Sequence, residues 1–194
     1  MSDPSIPDWI NAGAAAIGAL AIVVGLFGAN AKINESSRAA RQIRRSEVAE
    51  ELISLAFNVD DAFRDMRNPF DTVPKEKMND RKYSFQRRYE RLVKYNDLFK
   101  SLRDAQIRVR AIIGNSRVDD AVEMLFRARG EVAIAIEELA EMADEELNPE
   151  DRESRIGYRK TLFGSFSKRD TLGQMIIEAV EAIERELAPI ARIE

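Results

Sequence analysis

The chain predicts an all-α protein, with a single N-terminal transmembrane helix followed by a cytoplasmic bundle of four or five helices. Three observations carry this. Trp9 to Ala31 is a run of 23 residues without a charge, and Lys32, Arg38, Arg41, Arg44 and Arg45 follow it. Beyond the run, apolar residues recur at spacings of three and four, in stretches separated by Gly and Pro. Nowhere does the sequence alternate apolar and polar residues as a half-buried strand would.

At about 1.5 Å per residue the uncharged run makes roughly 34 Å of helix, sufficient for a hydrocarbon core of about 30 Å. Trp9 stands where an interfacial aromatic would, and Asp3 and Asp8 precede it with no Lys or Arg among them. A cleaved secretory signal would carry its positive charge ahead of the apolar stretch. Here the excess follows, so the positive-inside rule places the N-terminus outside and residues 32–194 on the cytoplasmic side of the cell (inner or plasma) membrane. The division is a translocated tail (1–8), a transmembrane helix (9–31), a basic juxtamembrane stalk (32–47) and a helical domain (48–194). Within the span, Ala14, Gly18, Ala21, Gly25 and Gly28 form one stripe at spacings of four, three, four and three. Small-residue seams let helices approach closely in lipid, so this stripe is the predicted packing face. Arg38, Arg41 and Arg45 share a face of the stalk. The basic collar Lys32, Arg38, Arg41, Arg44 and Arg45 sets topology first and contacts lipid headgroups second.

The stalk breaks most easily at Ser36-Ser37, either of which can cap a helix. Val48, Leu52, Leu55, Val59, Phe63 and Met66 then give an amphipathic helix ended by Asn68-Pro69. A two-proline loop leads to a helix from about Lys77 to Ile113, with Phe85, Tyr89, Leu92, Phe99, Leu102, Val109 and Ile113 inward and Asn96 and Gln106 as polar members of the seam. Gly114 terminates it, and Ser116 with Asp119 forms a capping pair for the next helix. That helix runs to about Leu147 and buries Val118, Val122, Leu125, Val132, Ile136 and Leu139. Asn148-Pro149-Glu150-Asp151 is an N-cap with a first-turn proline and two acids, opening a short helix to about Phe163. Gly164 begins a turn. A last helix from near Asp170 buries Leu172, Ile176, Val180, Ile183 and Leu187 until Pro189 disrupts it.

Composition limits the chemistry. Hydrophobic residues at 45% and charged residues at 33% suit a folded domain, and a net charge of −4 gives no general affinity for nucleic acid. With no Cys and no His, disulfides, thiolate nucleophiles, Cys/His zinc sites and Ser-His or Cys-His dyads are excluded. No Gly-rich phosphate loop is present. The expectation is a non-enzyme without cofactor, metal or catalytic residues.

Charge is segregated. From Arg64 to Arg110 there are 14 Lys or Arg against seven Asp or Glu, and from Ala111 to Asp151 three against 12. Two neighbouring helices of opposite sign favour antiparallel pairing with flanking ion pairs. The functional alternative makes Glu137, Glu138, Glu141 and Glu145 a docking surface for a basic partner. It makes Arg81, Lys82, Arg87, Arg88, Arg91 and Lys94 a surface for anionic lipid or an acidic protein. The expected partners are the lipid bilayer and either further copies of the chain or another protein, with no nucleic acid. The expected role is a membrane-anchored interaction or scaffold protein. The alternatives are an oligomeric, pore-type membrane-perturbing effector and a signalling adaptor.

Overall fold

The computed structural model describes residues 6–70, 73–143, 148–164 and 170–192, with side chains from residue 35 onward. Among these residues the protein is all-helical: α1 (Ile6–Met66), a 3-10 turn (Lys75–Lys77), α2 (Tyr83–Lys94), α3 (Asn96–Ile112), α4 (Ser116–Glu141), α5 (Pro149–Leu162) and α6 (Thr171–Ala191). The chain divides into two compact units, residues 1–44 and 45–194.

The first unit is helical from Ile6 onward. The side chains of the uncharged run 9–31, and so the seam Ala14, Gly18, Ala21, Gly25 and Gly28, lie outside the described residues. Among the described residues no helix is long and apolar enough to cross a membrane. The expected break at Ser36-Ser37 does not occur: both residues are helical, and the Arg41 Nε donates to the Ser37 carbonyl over 3.2 Å.

The second unit is a helical bundle whose long members pack antiparallel. The Ser46 hydroxyl donates to the Ala191 carbonyl (2.6 Å) at one end of α1 and α6, and Arg67 meets Asp170 at the other. Glu51 pairs with Arg108 (2.5 Å) near the start of this part of α1, while Phe63 lies edge-on to Phe99 at 5.7 Å, so α1 and α3 also run in opposite senses. Arg103 with Glu123 and Arg110 with Asp119 (2.8 Å) do the same for α3 and α4. These last two pairs join the basic and acidic stretches.

The core follows the apolar spacing closely. Val48, Leu52, Val59, Phe63 and Met66 of α1 are buried, as are the six positions expected in α4 and the five expected in α6. Leu55 is half-buried.

Six expectations are corrected. The helix expected over 77–113 is two helices. At Tyr95 the backbone leaves helical geometry (φ −95°, ψ 10°), and the Tyr95 hydroxyl donates to the Asp65 carboxylate (2.8 Å) of α1. Tyr89 is 46% exposed and Arg88 is 2% exposed, so α2 turns its 85/88/92 face inward. Arg88 fits there because its guanidinium donates to the Asn68 carbonyl (2.9 Å) and the Pro69 carbonyl (3.3 Å), which have no helical partner beyond the end of α1. Asn96 of the expected seam is exposed. The cap of α4 is Asn115, not Ser116: its Oδ1 accepts from the N–H groups of Arg117 (3.0 Å) and Val118 (3.4 Å). Helix α4 ends at Glu141, and residues 144–147 lie outside the described ones. Finally, α6 continues through Pro189 to Ala191. A proline this close to a helix end removes one hydrogen bond without obstructing a further turn. Two bonds then hold that end, from the Arg192 N–H to the Ala188 carbonyl (3.1 Å) and from Ser46 to Ala191.

Two predicted punctuation marks are present as expected. Gly114 takes φ +73°, the left-handed conformation that ends helices. Asn148 and Asp151 form a reciprocal capping box ahead of Pro149.

Candidate functional site

Of the collar, Arg38, Arg41, Arg44 and Arg45 are exposed, and Lys32 lies outside the residues with described side chains. On α4, Glu137 and Glu141 are exposed and Glu138 is half-buried; Glu145 is outside the described residues. Among the described residues, no three acidic side chains are grouped to hold a metal ion. Of the basic cluster, Arg81, Lys82, Arg87 and Lys94 are exposed and Arg91 is half-buried, whereas Arg88 is withdrawn into the fold.

The structure assembles a different concave region between α2 and α5. Both helices pack against α4, leaving a cleft of about 720 Å³ between them. Ile156, Arg159, Lys160 and Phe163 share one face of α5 by their three-and-four spacing, and all four line it. From the other side come Ser84 and Phe85 in the first turn of α2, Arg88 one turn on, and Pro69 from the segment after α1. Among the described residues the lining holds three cationic side chains and no carboxylate. Arg88 and Arg159 both stand over the Phe163 ring, 4.6 and 5.3 Å from its centroid, the arrangement in which a ring quadrupole attracts a cation.

One wall of the cleft is fixed from beneath by Arg67. Its Nε donates to the Thr161 carbonyl (2.9 Å), its Nη2 to the Lys160 carbonyl (3.4 Å), and its own carbonyl accepts from the Gly164 N–H (3.3 Å). The same guanidinium grips Asp170 through two parallel bonds of 3.0 and 2.7 Å. One arginine thus joins the end of α1, the end of α5 and the start of α6. Sequence reasoning missed it, although Arg67 continues the Val59, Phe63 register of the buried stripe, and a cation in such a register signals an internal partner.

Elsewhere the charged groups serve packing. The Gln106 amide, buried between α3 and α4, donates to the Asp119 carbonyl (3.3 Å) and to Glu123 (3.2 Å) and accepts from Arg103 (2.6 Å). The bond from Arg103 holds the Glu123 carboxyl below the usual glutamate range; Gln106 adds to this, and partial burial opposes it. Glu186 is held low first by the Asn115 amide (3.0 Å) and then by Arg117 (3.2 Å). Burial lowers the Arg129 guanidinium, which lies 4.6 Å over the Phe99 ring and donates to Asn96. These are ties between neighbouring helices, with no nucleophile and base brought together. No protein-family model, curated protein or solved structure matches the chain.

Proposed function

We propose that this is a membrane-anchored, non-enzymatic interaction protein that self-associates or joins a membrane complex through its N-terminal helix and presents its helical bundle to the cytoplasm. The observation that carries the reading is the uncharged run 9–31 followed by a basic collar, within a segment that is helical from Ile6. Exposure of Arg38, Arg41, Arg44 and Arg45 supports a collar free to meet lipid headgroups, with attraction to an anionic leaflet worth about 1 kcal/mol per basic residue near the surface. The engagement of Arg88, Arg103 and Arg110 in ties within the bundle supports a structural rather than a chemical use of its charge.

The test uses the full chain with a C-terminal reporter in a bacterial membrane. The protein should stay with membranes through alkaline extraction, with the reporter active only in the cytoplasm. Reversing Arg38, Arg41, Arg44 and Arg45 to Glu should invert a fraction of the molecules. Gly18→Ile with Gly25→Ile should reduce crosslinked multimers while leaving membrane retention intact. Recovery of the full chain as a stable, detergent-free species in water would overturn the anchor and the roles built on it.

A further inference from the structure

We infer that the cleft between α2 and α5 is a binding site for an organic phosphate, its phosphate held by Arg159 and Lys160 and its apolar part seated against Ile156 and Phe85. The inference rests on the cleft alone and is independent of the anchor.

Charge comes first. Among the described residues neither the Arg159 nor the Lys160 side chain has a carboxylate within ion-pair distance, although the chain carries 34 acids against 30 bases. Both are exposed on adjoining positions of one helix face, and both open onto a concave surface whose described lining contains no acid. Neighbouring cations of one sign raise the local potential and concentrate counter-ions. Arg88 lies within the wall and donates to the Asn68 and Pro69 carbonyls. Ser84 adds a hydroxyl from the first turn of α2, where the helix dipole also favours an anion.

Shape and rigidity point the same way. A cleft of about 720 Å³ falls within the range of about 300–1,000 Å³ usual for small-ligand sites, and far exceeds what an inorganic anion fills. Its remaining lining is apolar: Phe85, Phe163, Pro69 and Ile156, the last 55% exposed where an isoleucine gains by being covered. The Arg67 bonds to the carbonyls of Lys160 and Thr161 fix the backbone that carries the two cations. Binding therefore costs little ordering of the main chain. A phosphate with an apolar or planar body satisfies both halves of the lining, and it can come from a soluble nucleotide or from a phospholipid headgroup.

The experiment is calorimetric titration of the full chain in neutral detergent with AMP, with dihexanoyl phosphatidic acid below its micelle concentration, and with adenosine. At least one of the two phosphates should saturate at one per chain, which one telling the source, and adenosine should not bind. Arg159→Ala with Lys160→Ala should weaken that phosphate by about tenfold or more, as expected when charge-assisted bonds are lost. Ile156→Ser should weaken it less. Arg152→Ala, at an exposed α5 position outside the cleft lining, should leave affinity unchanged, and circular dichroism should be the same for all variants. The proposal is overturned if neither phosphate saturates, if the double variant binds as tightly as the parent, or if Arg152→Ala weakens binding as much as the double variant does.

Discussion

Arg67 and Asp170 face each other across 103 positions of sequence in a two-pronged ion pair, with side chains only 6% and 8% exposed. Asp170 does a second job there: its Oδ1 accepts from the Gly173 N–H (2.9 Å) and caps α6. Losing one partner of a buried pair leaves an uncompensated charge, which costs about 3–5 kcal/mol. Arg67→Met should therefore destabilise the bundle by that amount in chemical denaturation. Adding Asp170→Asn keeps an oxygen for the cap and removes the negative charge that Arg67 had balanced, so the double variant should recover part of the loss. It should not recover all, because the carbonyls of Lys160 and Thr161 still lack their donor. Equal stability of Arg67→Met and the parent would show that the clasp contributes nothing.

Glycines in helices provide an internal comparison. A Cβ at Gly173 would overlap Asp170 Oδ2 and lie 3.2 Å from Arg67 Nη1, and that carboxylate is held by both Arg67 and the Gly173 N–H. Gly173→Ala should destabilise by about 1–3 kcal/mol despite alanine's better helix propensity. At Gly130 and Gly157 a Cβ meets nothing within 4 Å. Alanine at either position should stabilise by about 0.5–1 kcal/mol, raising the melting temperature by a few degrees. A thermal scan of the three single variants checks both signs together.

The contrast between those glycines shows what the sequence can and cannot disclose. Spacing of apolar residues located the buried faces of α4 and α6 because each face needs only a helical period to be visible, as Val118, Val122, Leu125 or Leu172, Ile176, Val180 demonstrate. The Asn148–Asp151 box and Gly114 were legible for a similar reason, since cap chemistry acts within four residues. Arg88 and Tyr89 exchanged their expected places because adjacent positions on α2 fit the period almost equally well. The choice was made by the carbonyls of Asn68 and Pro69, twenty residues away. The break at Tyr95 has the same origin in a bond to Asp65. The cleft escaped notice because its cations come from α5 and α2 together, and only packing on α4 brings them to one recess.

The α3–α4 seam should show an acid dependence that can be assigned to one group. Glu123 has its proton affinity depressed in the folded state by Arg103 and Gln106. A depressed carboxyl contributes stability that is complete above its ordinary value of 4.5 and is lost as pH falls through the lower folded value. Glu123→Gln retains an acceptor for Arg103 but has no charge to protonate. The parent should be the more stable of the two at pH 7, and the difference should shrink steadily below about pH 4.5. Because Glu123 is 47% exposed, screening keeps the effect small, and 1 M salt should reduce it further. A difference constant from pH 7 to pH 3 would remove the charge from the explanation.

Asn115 permits a sharper electrostatic test, because Asn and Asp are about equally good helix caps. In Asn115→Asp the carboxylate can still accept from the Arg117 and Val118 N–H groups, and the extra negative charge suits the start of α4. By local rules the substitution is neutral or favourable. The Asn115 amide, however, also donates to Glu186 over 3.0 Å and is the main reason that carboxyl stays low. Aspartate replaces this donor with a like charge, and Arg117 must then serve both acids. The variant should be less stable than the parent at pH 7, and the deficit should fade as pH falls through the carboxylate range. Asn115→Asp with Glu186→Gln should restore stability at neutral pH, since glutamine can donate to the new carboxylate. Failure of the second substitution to rescue the first would place the damage in the cap itself and not in the contact between α4 and α6.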